Sequence, residues 1–111
     1  MNDCIFCKIV AGQIKADCVY EDERVVVFRD IYPKAPVHLL MVPRTHIESL
    51  DAAGAADDGL LAHLLRTAPK VARAAGLKDG YRTIINTGRG GGQEVMHLHV
   101  HILGGGALPG F

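Results

Sequence analysis

Apolar residues recur with a period of two in several stretches of the chain and with a helical period in one. The strictest case runs from Met96 to Leu103, where His97, His99 and His101 alternate with Met96, Leu98, Val100 and Ile102. Successive strand side chains point to opposite faces, so the imidazoles share one face and the apolar residues share the other. A helix would scatter them around its circumference. The apolar face demands burial, which predicts a sheet strand with one side on the core. Cys18-Val19-Tyr20 and Arg24-Val25-Val26-Val27-Phe28 are β-branched and aromatic, with polar Glu21-Asp22-Glu23 between them. They predict a hairpin. Val37 to Val42 predicts another strand, ended by Pro43, and Tyr81 to Asn86 one more.

Helical spacing links Leu60, Leu61, Leu64, Leu65, Ala68, Val71, Ala72 and Ala75 into one apolar stripe. Asp57-Asp58 would cap that helix, Pro69 would kink it and Gly76 would close it. His63 falls off the stripe and is expected in solvent. A short helix is predicted over Phe6 to Val10, ended by Gly12. Two prolines stiffen the loop Asp30-Ile31-Tyr32-Pro33-Lys34-Ala35-Pro36.

At 111 residues the chain suits one domain, 1–111, with one modest core. Formal net charge is zero, so no broad attraction to nucleic acid or an anionic membrane is indicated. A phosphate-bearing ligand would have to be held by local groups. No apolar run is long enough to span a bilayer. Asp3 and Lys8 interrupt the apolar residues at the start, against a secretory signal. Three cysteines, an odd number, do not make a disulfide framework. A reducing cytoplasm is the expected compartment.

Three imidazoles in register suit two chemistries: a metal site, or nucleophilic and general acid–base work near neutral pH. Before them lies Thr87-Gly88-Arg89-Gly90-Gly91-Gly92-Gln93-Glu94, which has no aliphatic residue. Glycines let backbone N–H groups turn inward on an anion, so the loop suits a phosphate cradle. Asp30 is either a turn aspartate or an acceptor for a ribose diol. Cys4-x-x-Cys7 leaves three readings open: a redox pair, half a zinc site, or two small buried thiols. Redox is the weakest, because no strand precedes the pair. Cys18 has no evident partner and is read as packing. No P-loop or Walker lysine is present, against kinase or NTPase chemistry.

His97-Leu98-His99-Val100-His101-Ile102-Leu103 matches the histidine-triad motif. Joined to Gly92-Gln93-Glu94 and Phe28-Arg29-Asp30-Ile31, it makes the chain resemble the histidine-triad (HIT) nucleotide-binding family. The likeness is strongest to its Hint-type branch of purine nucleoside phosphoramidases, and runs from Cys4 to Gly105. It implies an α+β fold: a five-stranded antiparallel sheet, a long helix in the C-terminal half and a short N-terminal helix. It implies a hydrolase acting on purine nucleoside 5′-phosphoramidates, with His99 as nucleophile, His101 as donor to the phosphate and His97 orienting the loop. Asp30 would bind the ribose, Phe28 and Ile31 would line a slot for the base, and His38 would lie beside the triad. Asn86 would reach the phosphate or the ribose, and the Gly92, Gln93, Glu94 and Val95 segment would hold the phosphate. The side-chain role of Glu94 stays open, since a carboxylate facing a phosphate must turn away or be protonated.

In zinc-bearing members of the family a C-x-x-C pair joins two histidines, here Cys4, Cys7, His46 and His97. That implies a structural zinc, with no cofactor required for the chemistry. A homodimer is implied too, and the apolar tail Ala107 to Phe111 is consistent with packing on a partner. Competing readings are a dinucleoside polyphosphate hydrolase of the same family, a nucleotide-binding scaffold with residual turnover, and a metalloprotein using the triad as ligands.

Overall fold

A computed structural model describes residues 3–110 of the chain. A short helix, α1 (Ile5–Val10), precedes the hairpin β1 (Cys18–Glu21) and β2 (Val25–Arg29). Then come β3 (Val37–Pro43), the long helix α2 (Asp58–Ala74), β4 (Arg82–Ile84) and β5 (Val100–Gly104). The five strands form one antiparallel sheet in the order β1-β2-β3-β5-β4. The expected α+β architecture is present.

The alternation along each strand sorts residues between two faces. Val25 and Val27 of β2, Leu39 and Met41 of β3, and Leu98, Val100 and Ile102 pack with Leu64, Ala68 and Val71 of α2 in the main core. Val26, Phe28, Leu40 and Val42 face the other way and are buried with Phe6 of α1. Both faces of β2 and β3 are covered, which is why they read as nearly unbroken apolar runs.

β5 begins at Val100, so His97 and His99 precede the strand instead of lying within it. The cause is Pro43. The β3–β5 ladder reaches Met41↔Val100. Two residues further on, a proline has no N–H to offer a partner. The Pro43 carbonyl accepts a bond from the His97 ring, and Leu98 N–H donates to Ile47 O at 2.7 Å. The segment keeps the alternation: Leu98 stays in the main core, while His97 and His99 meet Phe6. β4 ends at Ile84 instead of Asn86, and its ladder with β5 stops at Ile84↔His101.

α2 runs unbroken through Pro69, and Gly76 closes it at φ +86°. Asp57 does not cap α2 with its side chain; its carboxylate accepts the Gly54 N–H at 2.9 Å, closing the turn before the helix. His63 is not in open solvent. Its Nε2 lies 2.8 Å from Asp22 Oδ2, tying α2 to the β1–β2 turn. Asp22 also accepts the N–H groups of Arg24 and Val25 and the Tyr20 hydroxyl. Burial opposes its ionisation, but these bonds together outweigh burial and hold the carboxyl well below the usual carboxylate range. Cys18 is exposed on edge strand β1, with its thiol donating to Tyr20 O, so it is not a packing residue. Of the tail, Phe111 lies outside the described residues. No helix of the described chain is long and apolar enough to cross a membrane.

Candidate functional site

His99 is buried, and its Nδ1–H donates to the backbone carbonyl of His97 at 2.7 Å. A carbonyl only accepts, so the proton sits on Nδ1 and the Nε2 lone pair is bare. Burial pushes the His99 pKa down, with the His97 carbonyl and the Asp30 and Glu94 carboxylates opposing. The ring is therefore neutral at neutral pH, with a nucleophilic nitrogen.

His101 stands beside it, ring centroids 5.0 Å apart. Its tautomer follows from a relay. The Lys34 N–H donates to His38 Nδ1 at 3.0 Å, so the proton of neutral His38 must sit on Nε2. That Nε2–H reaches His101 Nδ1 at 2.9 Å, with Asp30 Oδ2 at 3.4 Å. His101 thus accepts on Nδ1 and carries its own proton on Nε2. Burial lowers His38, with Asp30 opposing. Burial, aided by the neighbouring His99 and His38 rings, pushes His101 down to about 4. The pair offers complementary atoms: a lone pair on His99 and an N–H on His101.

Asp30 opens an Asx turn, its Oδ1 accepting the Tyr32 N–H at 2.9 Å. The half-buried carboxylate thereby reaches the His38–His101 relay. Phe28 is buried edge-on against Phe6, centroids 5.6 Å apart, whereas Ile31 is 81% exposed. Of the two, Ile31 presents the free apolar surface. Sequence reasoning missed Phe6. Its ring lies 5.1 Å from His99 and 6.0 Å from His97 at steep angles. Nothing but its position between Cys4 and Cys7 hinted at this.

The glycine loop is self-bonded at its start. Gly91 N–H and Gln93 N–H donate to Gly88 O, and Gly92 N–H to Arg89 O. Gly88 and Gly92 adopt φ +73° and +91°, which a Cβ disfavours. Gln93 is a brace. Its Oε1 accepts Gly88 N–H at 2.8 Å, and its amide donates to Glu48 O and Val95 O. The expected anion contacts of Gly92 and Gln93 are therefore already committed within the loop. Among the described residues no group accepts from the N–H of Glu94 or Val95. They are among the donors left for an anion. The Asn86 amide lies beside Gly92. The Glu94 side chain is exposed.

A second cluster adjoins the first. Cys4, Cys7, His46 and His97 bring one ligand atom each to a common point. His97 Nε2–H donates to Pro43 O at 2.8 Å, which leaves the Nδ1 lone pair aimed at the others. From His97 Nδ1 the distances are 3.3 Å to Cys4 Sγ, 3.4 Å to Cys7 Sγ and 3.1 Å to His46 Nδ1. Cys7 Sγ lies 3.2 Å from His46 Nδ1. Ligand atoms of a tetrahedral zinc with bonds of ~2.3 Å to sulfur and ~2.05 Å to nitrogen stand about 3.4–3.8 Å apart. The donor set and spacing fit zinc. Burial lowers the His97 pKa, with the Pro43 bond opposing, which keeps the ring in its ligating form. Asp30, His38 and His101 also converge. They suit a metal poorly, because Lys34 N–H occupies His38 Nδ1 and forces a proton onto the Nε2 that would ligate.

The HIT domain family model matches residues 11–108. The chain is 53% identical to "Protein HitA" of Neisseria gonorrhoeae over 104 residues, which cover 94% of this chain and 97% of that one. A HIT family hydrolase of Legionella pneumophila Philadelphia 1 superposes with a TM-score of 0.93 at 47% identity, covering 96% of each chain. A histidine triad protein of Clostridium difficile superposes with a TM-score of 0.95 at 45% identity, covering 100% of this chain and 97% of its own.

Proposed function

The chain belongs to the HIT domain family, and from that premise we propose that it is a nucleotide hydrolase. In this reading it cleaves purine nucleoside 5′-phosphoramidates through a covalent nucleotidyl-histidine. The observation that carries the reading is the pair of fixed tautomers: a bare Nε2 on His99 beside an Nε2–H on His101. Solved relatives from Legionella pneumophila and Clostridium thermocellum are named HIT family hydrolases, which supports the reaction class.

His99 Nε2 attacks the α-phosphorus. The phosphorus–nitrogen bond breaks, and the amine leaves with a proton taken from water. Positive charge growing on the His99 ring is spread onto Nδ1–H and met by the His97 carbonyl dipole. Negative charge on the non-bridging oxygens meets His101 Nε2–H and the Glu94 and Val95 N–H groups, the kind of preorganised donors that lower such barriers. The hydroxide left by that water then attacks phosphorus, the phosphorus–histidine bond breaks with its electron pair returning to His99 Nε2, and the nucleoside monophosphate is released. Two easier displacements replace one hard one. Asp30 would accept from the ribose hydroxyls, and Ile31 would cover the base. Zinc on Cys4, Cys7, His46 and His97 would cross-link the chain and take no part in the displacement. A homodimer is the working form in this reading.

Incubation with an adenosine 5′-phosphoramidate, acid quench and peptide mapping by mass spectrometry test it. An adenylyl adduct on His99 is expected, and His99→Ala should abolish both adduct and turnover. An adduct on another residue, or turnover by His99→Ala, overturns it.

A further inference from the structure

His97 serves both clusters at once. Its ring points Nδ1 at Cys4, Cys7 and His46, while its carbonyl takes the Nδ1–H of His99 at 2.7 Å. The other ligands come from segments that also hold the nucleophile. Phe6 lies between Cys4 and Cys7 on α1 and rests edge-on against the His97 and His99 rings. Ile47 follows His46 and fixes the chain between the two histidines, through Leu98 N–H at 2.7 Å. The three segments that carry the ligands are the three that pin His99.

We propose that His97 is a positioning residue that transmits metal loading of the cysteine–histidine cluster to His99. The physical reason lies in the number of groups that converge on the His97 Nδ1 lone pair. His46 Nδ1 and His97 Nδ1 face each other at 3.1 Å, with both thiols close by. A cation satisfies all four donors. Without one, His97 Nδ1 can take only a single proton, from the Cys4 or Cys7 thiol or from His46, so the three segments lose their common tether and the His97 carbonyl shifts with its segment. His99 then loses the bond that fixes its bare nitrogen. Nucleotide binding through Asp30 and the glycine loop does not pass through His97. Metal loss therefore lowers kcat and leaves KM nearly unchanged. The kinetic part rests on the proposed role of His99.

The test compares zinc-loaded protein with chelator-stripped protein, zinc content being measured by mass spectrometry. Hydrolysis of an adenosine phosphoramidate gives kcat and KM. The imidazole Nδ1–H resonance of His99 in a 1H–15N spectrum gives the bond directly, without turnover. Stripping should lower kcat roughly 10–100-fold, the range for partners that orient a site, and should broaden the His99 resonance. Zinc should restore both, in the wild type and in Cys7→His, which keeps a ligand, but not in Cys7→Ser. If the stripped chain unfolds, His46→Gln carries the test: kcat should rise with zinc occupancy at constant far-ultraviolet circular dichroism. Failure to bind one zinc per chain overturns the proposal. So does a folded, stripped chain that keeps its kcat and its His99 resonance, or a His46→Gln kcat independent of occupancy. If loaded protein turns over no nucleotide, the hydrolase reading fails, and the resonance still decides the coupling.

Discussion

Replacing Gln93 separates a brace from a ligand. The side chain is 3% exposed and makes three hydrogen bonds, with Gly88 N–H, Glu48 O and Val95 O. Gln93→Met keeps the length and removes every bond. At about 1 kcal/mol net per bond, the loss is about 3 kcal/mol. An unfolding entropy of about 2.1 cal/mol/K per residue makes 1 kcal/mol worth roughly 4 °C in a chain this long, so Tm should fall by roughly 13 °C. Gln93→Glu should be worse. It can still accept from Gly88, but it sets carboxylate oxygen against the Glu48 and Val95 carbonyls, where burial disfavours charge. The assay is thermal unfolding paired with calorimetric titration of AMP below the melting range. The expected stability order is wild type, then Met, then Glu. AMP affinity should fall only as the loop loosens, and less for Met than for Glu. The reasoning is refuted if Gln93→Met melts with the wild type while losing AMP binding, because Gln93 would then be a direct nucleotide contact.

Other consequences are equally open to measurement. His99 and His101 have pKa values depressed in the folded chain, His101 to about 4. The kcat/KM profile should therefore stay flat below the ordinary histidine value of ~6.5, and a half-maximum at that value in a pH–rate series would contradict the assignment. For stability the sign is the same. As pH falls from ~6.5 toward 4, the unfolded chain takes up protons first, so unfolding becomes easier across that window and levels off beneath it. His63→Ala removes the partly exposed tie to Asp22 and should cost about 1 kcal/mol, with turnover intact; a melting point equal to wild type would discount the tie. Gly104→Ala places a Cβ 2.9 Å from Leu77 Cδ2 and 3.3 Å from Gly80 O, so denaturant unfolding should show a loss of about 1–3 kcal/mol.

The alternation from Met96 to Leu103 was legible because burial enforces it, and the faces of the histidines and of Leu98, Val100 and Ile102 follow directly. The extent of the strand was not legible, because it depends on a proline in another strand, and period two describes any extended chain. The role of Gln93 was hidden for a related reason. A glycine-rich loop can spend its N–H groups on a ligand or on itself, and only coordinates distinguish the two. His63 and Asp22 are 41 residues apart and show no pattern that could join them. Phe6 was invisible because a phenylalanine in a short helix reads as core, which it also is. The tautomers of His38 and His101 depend on the Lys34 backbone N–H, a group that every residue but proline possesses.

The strand order carries a consequence for assembly. β5 is the last strand in sequence and yet is inserted between β3 and β4. Until it arrives, the meander of β1, β2 and β3 has an open border, and β4 has no neighbour at all. Such borders are where nascent chains adhere to one another. Pulse-labelled hydrogen exchange during refolding should show amides of β4 gaining protection no sooner than those of β5. Catalytic competence and closure of the sheet would then be a single event, so a half-built molecule could expose a sticky flank but could not handle a nucleotide.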